Sequence, residues 1–152
     1  MRQTAAVRDD HDLPVDPDAD ARDPAAGWDV LAVIALGGAL GSLARWGLGE
    51  AAGTPAGAVP WATVVENVSG SLALGVLMVL VAEVWPSSRH LRPFAGVGLL
   101  GGWTTFSTYA LDTRTLLAHD RPAAATLYVV GSLVLGLLAV LVGLRLTRRV
   151  VA

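Results

Sequence analysis

The residues of this chain that could do chemistry are hydroxyls and amides set in apolar surroundings. Thr63, Asn67 and Ser71 recur at i, i+4 and i+8, so a helix would carry them on one face. Tyr128, Ser132 and Gly136 repeat that spacing, two of the three bearing hydroxyls. Phe106 and Tyr109 stand at i, i+3 and share a face. A polar row inside a bilayer-length segment is costly unless it faces protein or a water path. Two readings follow: hydrogen bonding between helices, or a hydrophilic pathway. No Ser/His/Asp grouping, catalytic carboxylate pair or phosphate loop occurs, which argues against an enzyme.

A second feature is the stretch Gly98-Leu99-Leu100-Gly101-Gly102-Trp103-Thr104-Thr105-Phe106-Ser107-Thr108-Tyr109. It lies in an uncharged run from Pro93 to Leu111, about long enough to cross a bilayer. Paired glycines weaken a helix by roughly 1 kcal/mol each relative to alanine, and clustered Thr and Ser hydroxyls compete for backbone hydrogen bonds. The composition predicts a broken membrane helix. Carbonyls freed at that depth must be satisfied by protein, water or an ion.

Among the charged residues of the predicted spans, Glu66 and Arg45 stand out. Glu66 precedes Asn67 and points about 100° away from the polar row. Its nearness to Trp61 favours a place among the headgroups; the other reading is a proton site in the bilayer interior. Arg45 closes the first apolar segment. It either snorkels to the interface or lines an aqueous vestibule that attracts anions.

The elements that must position these groups are membrane helices. The chain has 152 residues, 53% hydrophobic and 16% charged, a membrane composition. Four spans are expected, at about 28–48, 61–84, 93–117 and 123–144, within a channel-like domain over 28–152. Gly37 and Gly41 form a GxxxG pair in the first span, and Ser71 and Gly75 a small-xxx-small pair in the second, suited to close helix packing. Residues 1–27 hold seven aspartates among prolines and predict a disordered acidic tail. There is no cysteine, so disulfides and thiolate sites are excluded. His11, His90 and His119 fall in tail or loops and suggest no metal cluster. All the basic residues are arginines and form no patch fit for nucleic acid.

Gly37-Gly38-Ala39-Leu40-Gly41-Ser42-Leu43-Ala44-Arg45-Trp46, the segment from Pro60 to Gly75, and Gly98 to Asp112, taken in that order, resemble the CrcB/Fluc fluoride channels. The resemblance runs from Gly37 to Leu144. It implies an all-α integral membrane protein of the cell membrane, with four transmembrane helices per subunit and a broken third helix. It also implies an antiparallel, dual-topology dimer with two pores along the interface. Fluoride would leave the cytoplasm passively, reducing its toxicity.

By the same resemblance, the anion pathway comprises Asn67, Phe106, Tyr109, Thr63, Ser132 and Tyr128, with Arg45 in the vestibule. The backbone carbonyls of Gly101 and Thr104 would hold a structural sodium ion at the dimer centre, and Asp112 matches the family's acid after the break. These roles suit fluoride, a small, strongly hydrated anion whose water must be replaced by donors. Amide and hydroxyl groups donate, and an aromatic ring offers a positive edge without a full charge. Tyr109 stands where a second phenylalanine is usual, Gly136 where serine often continues the hydroxyl row, and Glu66 where an apolar residue is usual.

With four spans, the termini and the Trp85–Arg92 loop share one side. Arg22, Arg89, Arg92, Arg145, Arg148 and Arg149 lie near that side, against Arg121, Arg45 and Arg114 on the other. This bias favours cytoplasmic termini and pairing with an oppositely oriented paralogue; the alternative partner is a second copy. Two alternatives have distinct signatures. A proton-coupled small exporter would rely on Glu66, whereas a non-conducting paralogue would be one subunit of a heterodimeric channel.

Overall fold

The structure, a computed structural model, describes residues 25–151. Most of the predicted acidic tail therefore lies outside the described residues. Every regular element described is helical. Helix α1 spans Ala25–Ala52 and α2 spans Trp61–Val79, continuing in wider π turns over Leu80–Val84. Helix α3 comprises Arg92–Leu100 and Gly101–Trp103, α4 spans Ser107–Ala118, and α5 spans Pro122–Val151.

The helix ends follow local rules. Gly53 ends α1 with a left-handed φ of +52°, a conformation that costs glycine little. Pro122 opens α5, where its missing N–H is no loss. Three helical stretches are long and apolar enough to cross a membrane: Trp28–Ala52, Trp61–Val84 and Pro122–Val151. The 30 residues of α5 reach about 45 Å, more than the hydrocarbon thickness of roughly 30 Å. Their outer faces carry exposed leucines, valines and tryptophans, among them Trp28, Leu43, Leu127 and Leu137, as a lipid-facing surface requires.

Packing is set by small residues. Gly37 and Gly41 of α1 lie against Gly98 and Gly102 of α3, and a Cβ on any of the four would run into the opposing backbone. Gly75 of α2 and Gly143 of α5 make the same reciprocal approach. The helices thus pair as α1 with α3 and α2 with α5, close enough for dispersion to replace a hydrophobic drive that lipid does not provide. At one end of the bundle, Val64, Leu116, Ala125 and Tyr128 form a buried apolar cluster that joins α2, α4 and α5.

The interruption between α3 and α4 covers Thr104 to Phe106. Thr104 is extended, with φ −83° and ψ 157°. Its N–H and Oγ1 both bond the Leu100 carbonyl, each at 2.9 Å. Thr105 then caps α4, its Oγ1 accepting from the Thr108 N–H at 3.1 Å. The chain therefore leaves one helix and enters the next with its hydroxyls serving as local partners, the competition expected of Thr beside paired glycines.

Candidate functional site

Asn67 reaches across from α2 to the interruption. Its Nδ2 donates to the Thr105 carbonyl at 3.0 Å, and its Oδ1 accepts from the Thr105 N–H at 2.8 Å. One amide side chain thus occupies both backbone groups of one residue. The second Nδ2 hydrogen is not used in these bonds. Nearby, Trp103 Nε1 donates to Ser69 Oγ at 2.9 Å, a further tie between α2 and the end of α3.

Beside this clamp lies an open groove of about 780 Å³. It brings together Asn67, Phe106, Tyr109 and Ser132 from the predicted anion pathway with Gly101 and Thr104 from the predicted cation site. Phe106 is 80% exposed on the groove. The rings of Phe106 and Tyr109 lie 5.9 Å apart and those of Tyr109 and Tyr128 5.3 Å apart, all tilted. The Tyr109 hydroxyl donates to the Val129 carbonyl at 3.0 Å, which directs its proton to α5. Ser132 Oγ is buried and has no hydrogen-bond partner among the described residues. Ser132 is one of the residues that line the groove, so its hydroxyl is an uncommitted donor beside it.

Thr63 and Tyr128 lie outside the groove lining. Both are 4% exposed. Thr63 Oγ1 donates to Asp112 Oδ2 at 2.7 Å and the Tyr128 hydroxyl donates to the same oxygen at 3.2 Å. The carboxylate is a shared acceptor for α2, α4 and α5. Sequence reasoning placed Asp112 only by family resemblance. Its position three residues after Tyr109 and its charge within a hydroxyl-rich segment are signals that could have found it.

Arg45 is half-buried, and its Nε donates to the Gly102 carbonyl at 3.0 Å. It is turned toward the broken element. Glu66 is 3% exposed and lies among the helices rather than in open headgroup surroundings. The reason is the face it shares with Thr63 and Gly70, which packs inward: Thr63 meets Asp112, and Gly70 lies against Thr104. Thr105, absent from the predicted site, proves central to the break. Its doublet with Thr104 was visible, but its pairing with Asn67 crosses 38 positions of sequence.

The carbonyls of Gly101 and Thr104 suit a hard cation. Thr105 and Thr108 would normally donate to them within a continuous helix. Here those N–H groups go to Asn67 Oδ1 and Thr105 Oγ1. Both carbonyls are thereby deprived of the donors that a continuous helix would give them. Carbonyl oxygens released from helical bonding at membrane depth are the donor chemistry that sodium-like ions accept.

Comparison with known proteins identifies relatives. The family described as "CrcB-like protein, Camphor Resistance (CrcB)" matches residues 32–144. The Fluoride-specific ion channel FluC 2 of Nocardia farcinica is 52% identical over 125 residues, covering 82% of this chain and 89% of that protein. The Fluoride-specific ion channel FluC of Paracoccus denitrificans is 48% identical over 115 residues, covering 76% of this chain and 91% of that protein. The Fluoride-specific ion channel FluC 1 of Streptomyces coelicolor is 43% identical over 129 residues, covering 82% and 84%. With its apolar helices and this match over most of its length, the chain is a multi-pass membrane protein of the CrcB family.

Proposed function

We propose that this protein is a subunit of a fluoride-selective channel through which cytoplasmic fluoride leaves the cell passively, relieving its toxicity. The reading rests on relatives named as fluoride-specific channels. It rests also on one structural observation: the groove gathers Asn67 and Phe106 with a buried Ser132 hydroxyl that has no partner. A pathway for a small hydrated anion needs donors that are not consumed by the protein's own bonds. It needs no fixed positive charge, which would hold the ion too tightly for conduction. The spare Asn67 N–H, the Ser132 hydroxyl and the Phe106 ring edge meet that requirement.

In this proposal α3 and α4 together make a fourth crossing. The groove is open on one side, with Phe106 exposed. An antiparallel partner, a second copy or an oppositely oriented paralogue, would close it into a pore. The carbonyls of Gly101 and Thr104 would hold a sodium ion where two subunits meet, and that ion would neutralise carbonyl dipoles stranded by the break. Thr63 and Tyr128 extend the pathway only when their bonds to Asp112 exchange, because in this conformation both protons point to the carboxylate.

The test is efflux of fluoride and chloride from sodium-containing liposomes that carry the purified protein, read with ion-selective electrodes. Rapid fluoride efflux with little chloride efflux is the expected result. Absence of fluoride efflux from the protein, both alone and with its paralogue, would overturn the reading.

A further inference from the structure

Two side chains intercept the backbone donors that would otherwise close the break. In an unbroken helix the Thr105 N–H would bond the Gly101 carbonyl, and the Thr108 N–H would bond the Thr104 carbonyl. In this structure Asn67 Oδ1 takes the first N–H at 2.8 Å, and Thr105 Oγ1 takes the second at 3.1 Å. The two carbonyls deprived of these donors are the two that the proposed cation site uses.

We infer that Asn67 and Thr105 are positioning residues that act as decoy acceptors, holding the Gly101 and Thr104 carbonyls open for a monovalent cation. The inference rests on the cation-site reading above. Asn67 then has two tasks in one amide. Its Oδ1 keeps the cation site open, one Nδ2 hydrogen fixes the Thr105 carbonyl, and the other remains for the groove. The anion-facing surface and the cation site become one hydrogen-bonded unit that spans α2, the break and the start of α4. A closing helical bond competes with cation binding, because it aligns each carbonyl along the helix axis and takes up one of its two lone pairs.

Removing a decoy should therefore cost cation binding even where the fold survives. Asn67→Leu removes acceptor and donor at similar volume and releases the Thr105 N–H to the Gly101 carbonyl. Asn67→Asp retains an acceptor for that N–H. Thr105→Val, close in shape, releases the Thr108 N–H to the Thr104 carbonyl. The readout is the thermal unfolding midpoint in detergent, with sodium chloride compared against N-methyl-D-glucamine chloride, because a ligand that binds only the folded state raises the midpoint.

The expected result is a sodium-dependent rise in the unmodified protein, kept in Asn67→Asp, lost in Asn67→Leu and reduced in Thr105→Val. A rise of undiminished size in Asn67→Leu and Thr105→Val would overturn the decoy role while leaving the cation site standing. If Asn67→Leu does not fold, Thr105→Val decides alone, and an undiminished rise there overturns the inference. No rise in the unmodified protein would overturn the cation site and the decoys together. Fluoride efflux from the same preparation reports separately on the channel reading.

Discussion

Thr63 Oγ1 and Asp112 Oδ2 lie 2.7 Å apart, and the Tyr128 hydroxyl reaches the same oxygen at 3.2 Å. One carboxylate therefore anchors α4 to both α2 and α5 from the inside of the bundle. Asp112→Ala would leave two buried donors without an acceptor, and hydrogen bonds to a charged group contribute roughly 1.5–3 kcal/mol each. We expect a fall of roughly 2–4 kcal/mol in stability, visible as a lower unfolding midpoint. Asp112→Asn, which keeps an acceptor, should lose less. Equal midpoints for Asp112→Ala and the unmodified protein would show that the hub is dispensable.

Ser132 and Tyr109 separate conduction from stability. Ser132 Oγ makes no hydrogen bond, so Ser132→Ala should leave the unfolding midpoint unchanged or slightly raised while fluoride efflux falls several-fold. Tyr109→Phe should do the opposite. It removes the bond to the Val129 carbonyl, worth about 0.5–1.5 kcal/mol, and leaves efflux within a few-fold, because that proton is not directed into the groove. Electrode-measured efflux beside a thermal melt checks both.

The glycine faces predict a sharp positional contrast. A Cβ at Gly41 would collide with the α3 backbone, and no atom of the rest of the structure comes within 4 Å of a Cβ at Gly47. Gly41→Val should prevent α1 from docking and abolish monodisperse protein in size-exclusion chromatography. Gly47→Ala should be tolerated and add up to about 1 kcal/mol through helix propensity alone. Matching elution profiles for the two variants would contradict the packing.

Arginine placement predicts orientation. Arg89, Arg92, Arg145, Arg148 and Arg149 lie at one end of the predicted topology. Labels placed at the termini and in the Trp85–Arg92 loop should therefore react mainly from the cytoplasmic side. Equal reaction from both sides would instead mean that the chain inserts both ways and supplies its own antiparallel partner.

Asp29 ties the start of α1 to the loop before α3, pairing with Arg89 at 3.0 Å and with His90 at 2.7 Å. All three side chains are about half exposed. Pairs of this kind contribute at most about 1 kcal/mol. Asp29→Asn should move the midpoint by no more than a degree or two and leave efflux intact; a larger loss would assign this clasp a structural role.

What the amino-acid sequence determined by itself was local. Apolar length set the helices, because a bilayer admits little else. Paired glycines followed by a Thr-rich segment marked where a helix must fail, and small residues at i, i+4 marked the faces that come together. Tertiary structure alone decided where each proton points. Asn67 finds Thr105 across 38 positions and Thr63 finds Asp112 across 49. These pairings turn two expected pathway hydroxyls toward a carboxylate, draw Glu66 into the bundle and leave Ser132 open. Residue type and periodicity place a donor on a helix face. Its partner depends on the register and approach of the facing helix, which the glycine contacts set at close range and no local pattern encodes.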